Sequence, residues 1–163
     1  MLVQELMCRG VRSCNPSQTL ADAASAMWRA DCGCVPIVDE RRRLCGILTD
    51  RDICMATMKR GSPPQRIRIE DVMTRKVWSC HPGDALEDAE AAMRYAQVRR
   101  LPVTDIYGRL VGLLCLNDMA IEAGRSGATG TPGVTLVEVG LTLGAVSHRR
   151  PMDVRTSASG FSG

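Results

Sequence analysis

The sequence predicts an α/β (α+β) fold: two β-α-β-β-α repeats packed with pseudo-two-fold symmetry, followed by a C-terminal tail. The first observation is an internal repeat. Displaced by 66 residues, Glu5–Ala56 aligns with Asp71–Glu122 without a gap, and about 19 of the roughly 52 pairs are identical. A period of this length indicates two copies of one supersecondary unit. The second observation is that each copy alternates short apolar runs with stretches of helical periodicity. A cleft between the copies is a natural place for a small ligand.

Local patterns divide the first repeat into elements. Val11–Cys14 is predicted to be a short strand, which Pro16 stops. From about Leu20 to Ala30, apolar residues recur at helical spacing and predict a helix whose inner face includes Trp28. Gly61 is the predicted stop of a second helix. The remaining elements are two strands joined by a hairpin turn and that second helix: Cys34–Val38, Leu44–Leu48 and Asp50 to about Lys59.

The second repeat follows the same order. Asp84 and Glu87 are expected to frame the start of its first helix, as an N-cap residue and its capping-box partner. Two strands are predicted at Leu101–Thr104 and Leu110–Cys115. We therefore assign residues 1–61 to the first repeat, 62–69 to a linker and 70–124 to the second repeat.

The chain ends in a predicted flexible tail, residues 125–163, whose first part is rich in Gly, Ser and Thr. Within it, Thr135 and Glu138 form a capping-box pattern, which predicts a short helix at 135–147. A strand at Val134–Val139 is the alternative interpretation.

The composition narrows the class of function. The chain has 163 residues, of which 45% are hydrophobic and 24% charged, as in soluble globular proteins. A net charge of +3 and an aromatic content of 3% disfavour nucleic-acid binding. No apolar run reaches the roughly 18 residues of a membrane span. The N-terminus lacks the apolar region of a signal peptide, so we expect a cytoplasmic protein without membrane contact. No nucleophile and base form a motif, so no catalytic residue is assigned and an enzyme is not expected.

The eight cysteines leave one alternative open. Several lie in apolar stretches, where a cysteine behaves as a small buried hydrophobe. Cys32 and Cys34 suggest metal or redox chemistry, but they do not form a Cys-x-x-Cys pair and no neighbouring histidine completes a zinc set. No metal site is predicted, and a cysteine-based redox or metal sensor is kept as an alternative function.

The segment Gly46–Asp52 carries the clearest chemistry, because it runs from the end of a strand into the start of a helix. Thr49 stands where an N-cap belongs, and Asp52 stands at the capping-box position. A helix N-terminus offers unpaired N–H groups and a positive dipole end, which favour phosphate. A carboxylate one turn in can accept hydrogen bonds from vicinal hydroxyls such as those of ribose. The alternative interpretation is an ordinary capped helix.

The other copy matches this segment with Gly112–Asp118, and both copies carry an apolar-Pro-apolar strand around Pro36 and Pro102. With the repeat itself, these motifs identify the family: from about Leu2 to Gly124 the chain resembles a tandem pair of CBS domains, named after cystathionine β-synthase. The resemblance implies a non-catalytic sensor of an adenosine-containing ligand. AMP, ADP or ATP is the expected ligand, with S-adenosylmethionine and NAD as alternatives.

The resemblance also implies which residues contact the ligand. Asp52 would hold the ribose hydroxyls, and Thr49 would lie near ribose or phosphate. Arg99 and Arg100 would contact phosphate across the cleft from Asp52, because a guanidinium donates two parallel hydrogen bonds. Ser13, at the end of the first strand, is an additional candidate contact.

A second site is expected to be weaker. Asp118 is the counterpart of Asp52, but Cys115 replaces the hydroxyl residue, and the stretch from Cys32 to Pro36 that matches the two arginines is neutral. We therefore expect one competent nucleotide site per chain and one weak or empty one, whose cleft lacks a cation.

The resemblance further implies a homodimer, with exposed Met and Leu on the second helix of each repeat at its interface. No fused enzyme domain is predicted, so the signal is expected to pass to an unknown protein partner or through the oligomer. The main alternative is a stress-response or protein-interaction adaptor that binds no ligand.

Overall fold

Two antiparallel β-hairpins, one from each repeat, form the centre of the fold. The computed structural model describes residues 1–129 and 134–147, with the side chains of 128 and 129 excepted. The helices are α1 Val3–Leu6, α2 Leu20–Arg29, α3 Asp50–Arg60, α4 Leu86–Ala96, α5 Leu116–Thr129 and α6 Leu136–Ser147. The strands are β1 Cys34–Val38, β2 Leu44–Thr49, β3 Arg100–Thr104 and β4 Leu110–Cys115. The predicted α/β (α+β) fold class is confirmed.

The two hairpins have equivalent registers. Cys34 pairs with Thr49 in the first hairpin, and Arg100 pairs with Cys115 in the second. The predicted strand Val11–Cys14 is reduced to one parallel bridge, between Cys14 and Ile37. The prediction is wrong in extent because the residues before Cys14 face a cleft between the repeats rather than a neighbouring strand.

The leading segment of each repeat packs into the core of the other repeat. Val3 and Met7 belong to the core of the second repeat, with Met93, Leu101 and Leu114. The segment before the second repeat supplies the core of the first repeat in the same way, through Ile67, Ile69 and Met73. Neither this exchange nor α1 was predicted, because both depend on contacts distant in sequence.

Backbone hydrogen bonds fix both crossings, the points at which the leading segment of one repeat passes a strand of the other repeat. Cys8 and Leu113 exchange two N–H···O bonds of 2.9 and 3.0 Å, and Ile47 and Thr74 exchange an equivalent pair. The crossing segment passes so close to β4 that a Cβ added at Gly112 would lie 2.6 Å from Sδ of Met7. Gly112, like Gly46 in β2, is therefore required for this approach.

Two predictions about α2 and α4, the equivalent helices of the two repeats, are wrong. Trp28 is 87% exposed, because the buried stripe of α2 comprises only Leu20, Ala23 and Met27. Helix α4 has Ala85 at its N-cap and no side-chain cap. Asp84 instead accepts a hydrogen bond of 2.7 Å from the backbone N–H of His81 in the preceding turn.

The C-terminal part is more helical than predicted. Helix α5 continues past Gly124 to Thr129. Thr135 and Glu138 form the predicted capping interactions and begin helix α6, so the strand alternative is wrong. The other parts of the predicted flexible tail, 130–133 and 148–163, lie outside the described residues. In the part of the chain that is described, no helix is long and apolar enough to cross a membrane.

A buried carboxylate lies where α6 covers α4. Glu90 is 3% exposed, and its Oε2 lies 3.8 Å from Nη1 of Arg94. Its Oε1 has no hydrogen-bond partner among the described residues. Burial, and then the negative charge of Glu138 on α6, raise the pKa of Glu90 against the opposing effect of Arg94. This interface therefore contains a charge that is poorly compensated.

Replacing Gly112 with Ala is expected to lower the free energy of unfolding by about 1–3 kcal/mol, since the new Cβ overlaps Met7 and crowds the Cys8 carbonyl. Gly124→Ala is the matched control, because nothing lies within 4 Å of a Cβ at that position in α5. The control should be neutral or slightly stabilising. Chemical denaturation measures both variants, and equal effects would contradict the close crossing.

Replacing Glu90 with Gln is expected to raise the free energy of unfolding at neutral pH by about 1 kcal/mol, because it removes a buried, incompletely paired charge. The raised pKa means that the folded protein binds this proton more tightly than the unfolded chain. The stabilisation that comes from protonated Glu90 is thus present at low pH and is lost as the pH rises through the raised pKa of Glu90. Urea unfolding from about pH 4 to about pH 8 should give a variant-minus-wild-type difference that grows with pH; a constant difference would count against this account.

Candidate functional site

Two clefts open between the repeats, at the end of the hairpins opposite their turns. The first cleft, of about 600 Å³, is lined by the start of α3 and by residues 76–78 and 97–100. The second cleft, of about 580 Å³, is lined by the start of α5 and by residues 8–12, 30–34 and 99–100. Residues 76–78 and 10–12 are equivalent under the repeat offset, so the two clefts are pseudo-symmetric.

Thr49 and Asp52 lie at the start of α3 in the first cleft, where they form a complete capping box. The Thr49 hydroxyl donates to Oδ2 of Asp52 at 2.7 Å, and the Asp52 N–H donates to that hydroxyl at 3.2 Å. The Thr49 N–H also donates to Oδ2, at 2.9 Å. No described residue bonds to Oδ1 of Asp52, so the capping role leaves one carboxylate oxygen able to accept another donor.

Arg99 and Arg100 lie in the first cleft with Thr49 and Asp52, although they come from the other repeat. Strand β3 begins at Arg100, which directs the two arginines to the same end of the fold as the start of α3. Both arginines also line the second cleft, so they lie between the two sites.

Two side chains in the first cleft were missed by sequence reasoning. Lys76 adds a cation, and Trp78 adds an aromatic ring that is braced edge-on by Tyr95, with centroids 5.4 Å apart. Under the repeat offset, Lys76 aligns with Gly10 and Trp78 with Arg12. Trp78 was expected to alternate along a strand equivalent to Val11–Cys14, so its position in the cleft was not foreseen.

The second cleft contains Asp118, as expected, but it does not lack cations. Arg9 and Arg12 line it together with the two shared arginines, so the expectation of a neutral second cleft is wrong. The leading segment 8–12 supplies these charges, and its position depends on the exchange between repeats. Ser13 is not among the described residues that line either cleft.

The second cleft differs from the first in its helix cap. Among the described residues, Asp118 accepts one capping bond, from the Cys115 N–H at 3.3 Å. Burial, and then the Asp118 charge, raise the pKa of the Cys115 thiol to about 12, although the Arg100 guanidinium opposes this shift. Burial likewise raises the pKa of Cys34 to about 11. Both thiols are therefore protonated at neutral pH and are poor donors beside the ligand space.

The thiols do not assemble into a metal site within the described residues. No group of three or more His, Cys, Asp or Glu side chains there is arranged to hold a metal ion. Cys32 instead donates to the Cys34 carbonyl at 3.1 Å.

Comparisons with known proteins agree with this architecture. The CBS domain profile matches residues 3–59 and 69–123. The CBS domain-containing protein YhcV of Bacillus subtilis is 38% identical over 120 residues, covering 74% of this chain and 84% of YhcV.

Two solved structures are similar over most of the chain. Hypoxic Response Protein I with two coordinated zinc ions has a TM-score of 0.68 at 30% identity, covering 74% of this chain and 98% of that one. The CBS domain pair of protein MJ0100, in complex with 5-methylthioadenosine and S-adenosyl-L-methionine, has a TM-score of 0.71 at 26% identity, covering 77% and 98%. With two tandem profile matches and this fold, the chain belongs to the CBS-domain family as a tandem CBS pair.

Proposed function

We propose that the protein is a non-catalytic regulatory module that binds an adenosine-containing ligand, AMP, ADP or ATP, in the first cleft. One observation carries this proposal: a capped helix start from one repeat faces cations and an aromatic ring from the other, across a cleft of about 600 Å³. That volume lies within the range of small-molecule sites.

The acidic side supports a ribose contact. Asp52 is held by three hydrogen bonds through Oδ2 and the backbone, so its orientation is fixed before any ligand arrives. Its Oδ1 is the acceptor that vicinal hydroxyls require. S-adenosylmethionine and NAD carry the same ribose, and they remain alternatives that the binding test separates.

The cationic side supports a phosphate contact. Four basic side chains line the first cleft, against two carboxylates: Arg51, Lys76, Arg99 and Arg100 against Asp50 and Asp52. The N-terminus of the 11-residue helix α3 adds a positive dipole end. Trp78 offers a flat apolar surface of the kind on which a purine base stacks.

The second cleft is proposed to be weaker because of its cap rather than its charge. It has four arginines and two carboxylates, as many charges of each sign as the first cleft: Arg9, Arg12, Arg99 and Arg100 against Asp31 and Asp118. It lacks a hydroxyl at position 115 and an aromatic ring equivalent to Trp78. Arg99 and Arg100 line both clefts, so phosphate groups in the two clefts would share the same guanidinium donors.

The wider role follows the family. CBS pairs are generally regulatory, and the related MJ0100 pair holds adenosine-containing molecules. We propose a cytoplasmic homodimer that signals to a protein partner. The second helices expose Met58 and Ile121, whereas Leu116 and Met119 are buried. The expected exposed leucine is therefore wrong, and an exposed methionine is found on α3 but not on the described part of α5. Because the related Hypoxic Response Protein I holds two zinc ions, a metal sensor is an alternative function.

Asp52→Ala is expected to abolish the thermal stabilisation that saturating AMP, ADP or ATP produces in the wild-type protein. A ligand at about 100 times its dissociation constant stabilises by about 2.7 kcal/mol, or roughly 5–10 °C. Differential scanning fluorimetry with each nucleotide, S-adenosylmethionine, NAD and zinc measures the shift.

The matched control is Asp22→Ala. Asp22 forms the same capping box with Thr19 at the start of α2, away from both clefts, so it reports the loss of the cap alone. Both variants should lose about 1 kcal/mol of stability, but only Asp52→Ala should lose the ligand shift. No shift with any nucleotide on wild-type protein would favour the adaptor, and a shift with zinc alone would favour the metal sensor.

Replacing Arg99 and Arg100 together with Ala is expected to weaken ATP binding by at least tenfold and adenosine binding far less, since charge-assisted hydrogen bonds to phosphate are lost. Isothermal titration calorimetry measures both affinities. Arg29→Ala with Arg41→Ala is the control, because it removes the same charge from exposed positions outside the clefts. Equal losses for ATP and adenosine would show that the pair does not contact phosphate.

A further inference from the structure

Helix α6 lies outside both repeats, but its last turn reaches the first cleft. The helix packs on α4 and α5, with Val139 and Thr142 buried. Val146 lines the first cleft. Nη2 of Arg99 donates to the Ser147 hydroxyl at 3.4 Å. Among the described residues, no part of α6 lines the second cleft. The helix therefore makes the two pseudo-symmetric clefts unequal.

Val139 and Thr142 of α6 are buried and Val146 packs on the core of the second repeat, but several features oppose the docking of the helix. Arg94 donates to the Thr142 hydroxyl at 2.8 Å. Oε1 of the neighbouring Glu90, by contrast, has no hydrogen-bond partner in the described parts of the chain. The outer face carries apolar side chains that stay about half or more exposed and contribute little to docking: Leu136, Val137, Leu141 and Leu143. Gly140 and Gly144 further lower the intrinsic helix propensity. Such a helix has a docked population that a modest interaction can shift.

We propose that α6 is a ligand-coupled wall of the first cleft: a nucleotide there contacts Val146 and stabilises the docked helix, and the docked helix in turn raises nucleotide affinity. This inference rests on the proposed function. Only the docked helix presents Val146 to the cleft, so a ligand that touches this side chain prefers the docked state. The coupling is reciprocal by thermodynamic linkage.

The contact between Arg99 and Ser147 does not oppose this coupling. A guanidinium has five N–H donors in a planar fork, and the bond to Ser147 uses one of them, on Nη2. Arg99 can therefore contact a phosphate and Ser147 together. Because the cleft keeps about 600 Å³ with α6 docked, the helix does not fill the ligand space.

Hydrogen–deuterium exchange of the full chain tests the coupling. Saturating AMP, and separately saturating ATP, should slow amide exchange across Leu136–Ser147 in the wild-type protein. The same nucleotides should leave that exchange unchanged in Asp52→Ala, which loses the ribose contact but keeps all contacts of α6. Faster exchange of α6 with nucleotide would overturn the proposal, since it would mean that the ligand displaces the helix.

A pair of valine variants tests the ligand contact itself. Val146→Ala should weaken binding of AMP or ATP by about three- to tenfold, the loss expected for one or two buried methyl groups. Val137→Ala is the matched control on the same helix, because Val137 is 71% exposed and lies outside both clefts. It should leave affinity unchanged. Isothermal titration calorimetry measures both variants, and circular dichroism checks that their helix content is equal.

The outcomes separate this proposal from the function on which it rests. If nucleotide binding depends on Asp52 while α6 exchange and the affinity of Val146→Ala are unchanged, the coupled wall is overturned and the nucleotide site stands. If neither AMP nor ATP binds the wild-type protein, the proposed function and the coupled wall fail together.

Discussion

The reciprocal crossing of the two repeats is the constraint on which the rest of the structure depends. Each leading segment pairs with a strand of the other repeat, through Cys8 with Leu113 and Thr74 with Ile47. The crossings require glycine in β4 and β2, because the crossing backbone and methionine occupy the space of a Cβ. Each core is thus completed by residues from outside its own repeat, and neither repeat can bury its apolar face alone.

The same crossing creates the clefts. It brings the start of α3 in one repeat to face the start of β3 in the other, so that Asp52 and Arg99 share one space. It also carries Lys76 and Trp78 into the first cleft, and Arg9 and Arg12 into the second. The ligand space is therefore a property of the pair of repeats, and the leading segments add cations to both clefts.

The two clefts begin as near-equivalents and are made unequal by a few substitutions and one added element. Thr49 closes a full capping box, whereas Asp118 accepts one longer bond, from the Cys115 N–H, within the part of the chain that the structure describes. Trp78 provides a ring where Arg12 provides a charge. Helix α6 contacts the first cleft only, within the described residues. The two pseudo-symmetric repeats thus form two unequal clefts, and helix α6 contributes to the difference between them.

The sequence by itself determined those features of the protein that depend on interactions between neighbours along the chain. The hairpin strands, the capped start of α3 and its Gly61 stop were predictable, since periodicity, capping bonds and a left-handed glycine involve neighbours along the chain. The resemblance to CBS pairs, carried by the repeat and its motifs, also pointed to Thr49, Asp52, Arg99 and Arg100 as residues of one cleft. Only the tertiary structure decided the exchange of leading segments, the exposure of Trp28, the cations of the second cleft and the docking of α6. These depend on which distant surfaces meet, and that is set by packing across the repeat interface rather than by any local pattern.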